Sequence, residues 1–350
     1  MFRPTLRTSL LIVFVFVFVL ASACARPSGL LPATAPGTGS GARPATAPAA
    51  DHPTRLWQDA AIFECVHALI TSAGAGGRLW VEMYEFGRRD LATDLLAARA
   101  RGADVRLIVD RTVLVSARMA DQLVAAGLPV RAYPVDDSRH QIDHVKLVLG
   151  DSQALVTGMN WGTTSARNHD YGLQTHTAAV VARLTSVFDH DWALSGGGVG
   201  GAVAPGGPAI ETTPGTEVKQ SLVAAINGST HSIDAEIFTF TNWEVMAALG
   251  RACRRGVSVR VLMDPNQDVN RPGYQKLRQG GVQARWYPIP RGAKLHAKVG
   301  LFDGRLLLVG SANWSLAGLE INHELDLLTD DPAAVSAMHD RFERDWQLAG

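Results

Sequence analysis

A histidine and a lysine two residues apart, with an aspartate five residues further on, occur twice in this chain. The first copy is His144, Lys146 and Asp151; the second is His296, Lys298 and Asp303. Each copy runs on to a glycine and an Asn-Trp pair: Gly158, Asn160 and Trp161, then Gly310, Asn313 and Trp314. On a β-strand, residues two apart point to the same face, so each His projects beside its Lys. If a pseudo-twofold axis relates the copies, one cavity receives two imidazoles, two ammoniums and two amides. That set suits a phosphate ester. Lysine and asparagine donors stabilise charge on the non-bridging oxygens. One neutral imidazole can attack phosphorus while the other, protonated, delivers a proton to the leaving oxygen. This division of labour requires two histidines in opposite protonation states.

A nucleophilic imidazole also needs an acceptor on its far nitrogen, which fixes the tautomer and supports the growing positive charge. Asn168-His169-Asp170 aligns with Asn322-His323-Glu324, and Asp170 and Glu324 are assigned as the orienting carboxylates. Asp151 and Asp303 fall in turns and read as structural. A lone His-x-Lys would be an exposed strand edge; duplication in matched context is what gives the pattern weight. His140, His169 and His323 read as surface or supporting residues, and His67, His176, His190, His231 and His339 as structural. Trp161 and Trp314 are expected to pack behind the site. Glu82 and Glu236 form a matched pair that could reach the cavity or be structural. Arg291 and Lys294, just before His296, form either a basic rim or a solvated face.

The elements that must hold these residues repeat as well. Arg78 to Phe86 reads as a strand, Leu91 to Arg101 as a helix ended by Gly102, and Val105 to Asp110 as a second strand. Ser232 to Phe240, Glu244 to Arg255 and Val257 to Asp264 repeat that order, with Glu82 aligned to Glu236 and Asp110 to Asp264 at one offset. Strand, helix, strand at this spacing predicts mainly parallel sheets. A helix over Ala117 to Ala126 and strands at Val130 to Tyr133 and Ala284 to Tyr287 precede the motifs. The motifs themselves predict hairpins, Lys146 to Leu149 with Ala154 to Thr157, and Lys298 to Phe302 with Arg305 to Val309. The Asp303-Gly304 pair between apolar runs is a strong turn signal. Two α/β halves are therefore expected side by side, with the His-Lys strands meeting at the interface.

These residues resemble the phospholipase D superfamily, marked by a duplicated His-x-Lys-x4-Asp motif and a following Gly-Ser-x-Asn segment. The second copy matches closely, HAKVGLFD then GSANWS; the first reads GMNWG, with Met159 and no serine. The resemblance covers about residues 55–350. It implies two pseudo-symmetric phospholipase D-like α/β/α halves with the active site between them. It implies a phosphodiesterase that needs no metal or other cofactor and forms a covalent phosphohistidine released by water or another alcohol. Carried over to this sequence, the catalytic set is His144, Lys146, His296, Lys298, Asp170 and Glu324, with Asn160, Asn313 and Ser311 against the phosphate. The residues leave open which histidine attacks; precedent in two-domain members makes His144 the nucleophile and His296 the acid.

Composition bounds the partners. With 33 Lys+Arg against 33 Asp+Glu, formal net charge is zero, which argues against a general nucleic-acid binder. Arg3 and Arg7, the apolar run Leu10 to Leu20 and the small residues Ala21 to Ala23 read as an export signal over residues 1–24; eleven apolar residues are fewer than the about 20 that span a bilayer. Cys24 stands where a bacterial lipoprotein carries its lipid, so the expectation is an exported protein, secreted or lipid-anchored. Residues 25–54 read as a flexible Pro/Ala/Gly-rich spacer, 55–194 as the first half, 195–209 as a Gly-rich linker and 210–350 as the second half. Cys65 and Cys253 are expected as two buried thiols in different halves. A monomer is expected, since both motifs lie in one chain. The substrate is expected to be a phospholipid at a membrane surface, of the phosphatidylcholine phosphatidohydrolase type. A non-specific nuclease and a cardiolipin-synthase-like phosphatidyltransferase are the alternatives.

Overall fold

In the computed structural model, residues 53–350 are described, apart from Pro205 and Pro214. The export signal, Cys24 and nearly all of the spacer lie outside the described residues. Among those described, no helix is long and apolar enough to cross a membrane.

The first half runs β1 (Thr54–Gln58), α1 (Ala61–Ser72), β2 (Arg78–Met83), α2 (Arg89–Ala100), β3 (Asp104–Val109), α3 (Leu114–Ala125), β4 (Val130–Ala132), β5 (Lys146–Leu149), β6 (Ala154–Thr157), β7 (Tyr171–Thr175) and α4 (Ala178–Leu194). The second half repeats it: β8 (Ala209–Glu211), α5 (Glu217–Gly228), β9 (Ser232–Ile237), α6 (Trp243–Arg254), β10 (Ser258–Met263), α7 (Asn270–Gln279), β11 (Gln283–Trp286), β12 (Lys298–Phe302), β13 (Leu306–Gly310), α8 (Leu316–Glu320), β14 (Leu325–Thr329) and α9 (Pro332–Leu348). Thr54 and Ala209, read from sequence as the ends of linkers, are the first residues of strands β1 and β8.

Each half builds a seven-stranded sheet, in the orders β1-β7-β6-β5-β2-β3-β4 and β11-β10-β9-β12-β13-β14-β8. The expectation of mainly parallel sheets is corrected: the sheets are mixed. Only β2-β3-β4 and β9-β10-β11 run parallel; every other neighbour is antiparallel. The reason lies in the connections. A crossover helix allows parallel neighbours, whereas the short turns inside the two motif hairpins force reversal.

That reversal positions the chemistry. β5 pairs antiparallel with β2, Met83 opposite Lys146, and β12 with β9, Ile237 opposite Lys298. The start of each motif strand therefore lies beside the carboxyl end of a βαβ strand. Two outer apolar clusters pack each sheet against its helices, one around Leu79, Val105 and Leu95, the other around Ile233, Val259 and Leu249. A third lies between the halves, where Leu147, Val156 and Leu173 share one core with Val299, Val309, Leu325 and Phe342. The motif strands have apolar partners on both faces, and this rigidity lets them carry costly polar groups.

Asp303 shows how a turn is fixed. It has φ 52° and Gly304 φ 58°, the backbone of a tight hairpin that favours Asp-Gly. Its carboxylate accepts from the N–H groups of Thr230, His231 and Ser232. Burial pushes that carboxyl up, but these donors outweigh burial and bring it down to about 2. Asp151 accepts from Arg78 N–H at 3.1 Å in the matching place. Both aspartates tie a hairpin turn to the start of its neighbouring strand, at the opposite end from the histidines. Cys65 is buried in α1 and Cys253 half-buried in α6, both free; the expectation of two buried thiols holds for the first alone.

Candidate active site

The two halves exchange their carboxylates. His144 Nδ1 lies 2.7 Å from Glu324 Oε2, and His296 Nδ1 lies 2.7 Å from Asp170 Oδ2. Each histidine is thus oriented by the other half. The backbone crosses in the same way: His144 N–H donates to His323 O and His296 N–H to His169 O, each at 2.8 Å. Asp110 and Asp264 hold the approach to each motif strand by accepting from Asp143 N–H at 2.8 Å and Leu295 N–H at 2.9 Å.

With Nδ1 committed to a carboxylate, Nε2 of each ring is the atom left for chemistry. Both rings are held neutral. Burial, then the charges of Lys146 and Lys298, push His144 well below its ordinary value. Burial and Lys298 bring His296 down to about 3 against the pull of Asp170. The opposite protonation states expected from sequence are not set by these surroundings alone. A bound anion would supply the charge that stabilises one imidazolium.

Lys146 and Lys298 are buried, and each Nζ donates to the carbonyl of the histidine two residues before it, at 2.6 Å. Neither makes an ion pair within 4 Å among the described residues. Burial lowers Lys146 to about 7 and Lys298 to about 8, with carboxylates opposing. Lys298 Nζ also lies 3.1 Å from both ring nitrogens of His296. Tyr84 packs edge-on against His144, and Phe238 packs at a tilt against His296, both with centroids at 4.8 Å. These aromatics, missed in the sequence, sit at matched places just past β2 and β9, and their registration with Glu82 and Glu236 was the available signal.

The asparagines come from loops pinned by tryptophan. Trp161 and Trp314 are fully buried, edge-on to Phe86 at 4.9 Å and Phe240 at 5.2 Å. Trp161 O accepts from Gly87 and Arg88, and Trp314 O from Thr241 and Asn242. Both tryptophans are packing residues, as expected. Asn160 Oδ1 and Asn313 Oδ1 are buried without a protein hydrogen-bond partner, so each amide keeps an unused acceptor. They are not equivalent, because Asn160 Nδ2 donates to Glu85 at 3.1 Å. Glu85 has no acidic counterpart and was not read from sequence.

Ser311, expected against phosphate, lies beside the carboxylate of Glu324. Its hydroxyl is fully buried and accepts from Leu325 N–H at 3.0 Å. Together with Asn322, whose Nδ2 donates to Glu324 Oε1 at 3.0 Å, it supports the carboxylate. Burial still raises Glu324 to about 7, against the charge of Lys146 and these hydrogen bonds. Gly158 is needed for close approach. A Cβ there would collide with Asp170 Oδ1 and come within 3.2 Å of Gly310 O in the other half.

His169 and His323 prove to be buried supporting residues. Glu82 and Glu236, the other matched pair, lie behind the reacting histidines and face His323 and His169. Arg291 and Lys294 are not joined to the histidine pairs, although Lys294 Nζ lies 5.5 Å over the Phe238 ring.

The arrangement can perform displacement at phosphorus. Nε2 of one neutral imidazole attacks as its Nδ1–H is held by a carboxylate; Nε2 of the other handles the proton of the departing or entering oxygen. The ammoniums can stabilise the charge that builds on the non-bridging oxygens, at a centre where both histidines and both lysines are buried.

Comparison with known proteins agrees with this geometry. A family described as "Cardiolipin synthase, PLD-like domain" matches residues 66–192 and again residues 222–346. Mitochondrial cardiolipin hydrolase of Xenopus laevis is 35% identical over 128 residues, 36% of this chain and 60% of that protein. Cardiolipin synthase B of Salmonella typhi is 32% identical over 117 residues, 32% of this chain and 28% of that protein. The chain thus spans at most 60% of the length of these two relatives. Phosphatidylserine synthase of Haemophilus influenzae Rd KW20 superposes with a TM-score of 0.68 at 13% identity, over 85% of this chain and 87% of that one. At that identity the likeness is one of fold. Both repeats, each with its own histidine and lysine, fall inside the matched residues, and the chain belongs to the phospholipase D-like family as a polypeptide carrying two copies of its domain.

Proposed function

We propose that this protein cleaves or transfers the phosphatidyl group of glycerophospholipids through a phosphohistidine intermediate. The observation that carries the reading is the crossed pair of His–carboxylate bonds, His144–Glu324 and His296–Asp170, beside two buried lysines. Such a centre fits a substrate with one phosphorus atom and two ester oxygens, attacked from one side and protonated from the other. In this reading His144 is the nucleophile and His296 the acid, and Asn160 and Asn313 hold the phosphate. Balanced charge favours a lipid over a nucleic-acid backbone. The relatives named for cardiolipin direct the first assays to cardiolipin and phosphatidylglycerol, beside the phosphatidylcholine expected from sequence. Export, with lipid attachment at Cys24, would place this activity at a membrane outside the cytoplasm.

The test is a side-by-side assay on vesicles of cardiolipin, phosphatidylglycerol and phosphatidylcholine and on plasmid DNA. Release of a free alcohol head group from vesicles, lost in His144→Ala and in His296→Ala, is the expected result. Cleavage of DNA with no action on any vesicle would replace the lipid reading with a nuclease.

A further inference from the structure

Behind the reacting histidines lies a second matched pair of polar clusters, and the two differ in charge. In one, His169 stacks on Tyr287 with centroids at 5.0 Å and bonds Asp59 and Glu236, each at 2.7 Å. Arg341 completes it, donating to Asp345 at 2.6 Å and to Asp59 at 2.9 Å. Each of these three carboxylates is bonded to His169 or Arg341.

The other cluster is the first one displaced by the repeat. His323 stacks on Tyr133 with centroids at 4.3 Å, and its Nε2 lies 3.2 Å from Asp191 Oδ2 and 3.7 Å from Glu82 Oε1. In the alignment of the halves, Asp191 corresponds to Asp345, Glu82 to Glu236 and Tyr133 to Tyr287, but Val187 stands where the first cluster has Arg341. The acid content moves the other way. Asp143 replaces Leu295, and Glu211 takes the strand position of Gln58. Four carboxylates face one imidazole, and among the described residues no Lys or Arg is in ion-pair contact with any of them. Arg183, which acts on Glu211 less than His323 does, is itself paired with Glu217 at 3.1 Å.

The oxygens are also left over. Both oxygens of Glu82, Asp143 Oδ2 and Asp191 Oδ1 have no hydrogen-bond partner, in three residues with 0% exposure. Among the described residues, His323 is the one group facing these carboxylates that can carry positive charge, and its Nε2 contacts Asp191 and Glu82. Four buried carboxyls that share a single imidazole are costly.

We propose that this cluster is a divalent-cation site, held by Glu82, Asp143, Asp191, Glu211 and His323 Nε2. The ligand atoms of Glu82, Asp143 and His323 lie within 4.8 Å of one another, as do those of Asp191, Glu211 and His323. Ligands about 2.1 Å from one ion lie up to about 4.2 Å apart, so each trio stands close to closing on an ion, and His323, common to both, is the ligand through which the two trios would share it. His323 Nδ1 faces Thr213 O at 3.3 Å, and at Nε2 the ion would replace the proton now shared with Asp191. One imidazole with several carboxylates and no thiolate suits zinc or manganese. Binding displaces protons to solvent. The ion does in this half what Arg341 does in the other, tying β2, α4 and β8 to the loop that carries Glu324. It is structural and separate from the reacting centre, so the proposal stands or falls independently of the phosphodiesterase reading.

The test is metal content of the untagged chain expressed with added zinc or manganese. The expected result is about one equivalent per chain, with a thermal midpoint that falls on prolonged EDTA dialysis and recovers with either ion. Glu82→Gln is expected to retain less than about a tenth of an equivalent and to melt identically with and without EDTA. A wild-type chain free of metal from both media, with an EDTA-insensitive midpoint, overturns the proposal; so does full metal content in Glu82→Gln. The wild-type readings decide the matter even if the variant does not fold.

Discussion

Lys146 and Lys298 explain why this site costs stability and why it is kept. Each ammonium is buried beside a histidine with no carboxylate in direct contact, a poor arrangement for folding and a good one for receiving an anion. Their folded values, about 7 and about 8, lie below the ordinary 10.5. The unfolded chain therefore binds more protons than the folded one between about pH 8 and 10.5, and these two groups make stability rise with pH across that window. Lys146→Met is expected to be inactive yet more resistant to urea at pH 7, with a flatter pH dependence from 8 to 10. A urea midpoint below wild type at pH 7 would contradict this. Asp170→Asn and Glu324→Gln remove the acceptor from His296 and His144. Each is expected to lower kcat by about 10³-fold or more with little change in KM, read from steady-state kinetics on vesicles. The histidines, lysines and two carboxylates were legible because each is duplicated in register. Tyr84, Phe238 and Glu85 were not, because they become neighbours of the site only through the β2–β5 and β9–β12 pairings.

At the scale of elements, the hairpins were readable from Asp-Gly and apolar alternation, and the βαβ units from spacing. The mixed character of the sheets was not, because hairpins and crossovers each predict only their own neighbours. β1, β7, β8 and β14 are short strands that acquire meaning by pairing at long range. Two substitutions separate holding the fold from doing the chemistry. Asp303→Ala removes an acceptor of three backbone N–H groups at the far end of β12. It is expected to cost about 1–3 kcal/mol in denaturant unfolding and leave kcat unchanged. Its contribution is present above about pH 4 and fades as pH falls toward 2, because its folded value lies below the ordinary 3.8. Gly158→Ala drives a methyl group into Asp170. It is expected to abolish turnover by displacing the carboxylate that orients His296; near-normal kcat would show that this close approach is not required.

At the scale of the whole molecule, neither half is complete. Each supplies a histidine and a lysine to itself and a carboxylate to the other, and the two share one apolar core. Cleavage at a protease site placed within residues 198–203 is therefore expected to leave two fragments that co-elute in size exclusion and keep their activity. Separation of the fragments without denaturant would show that the shared core is weaker than described. The central claim is a displacement at phosphorus through His144, and it is tested most directly by a denaturing quench at alkaline pH during turnover of phosphorus-labelled phosphatidylglycerol, followed by peptide mapping without acid. Label on the peptide carrying His144, absent in His144→Ala, is the predicted result. Turnover of wild type with no label on His144 or His296 would contradict it.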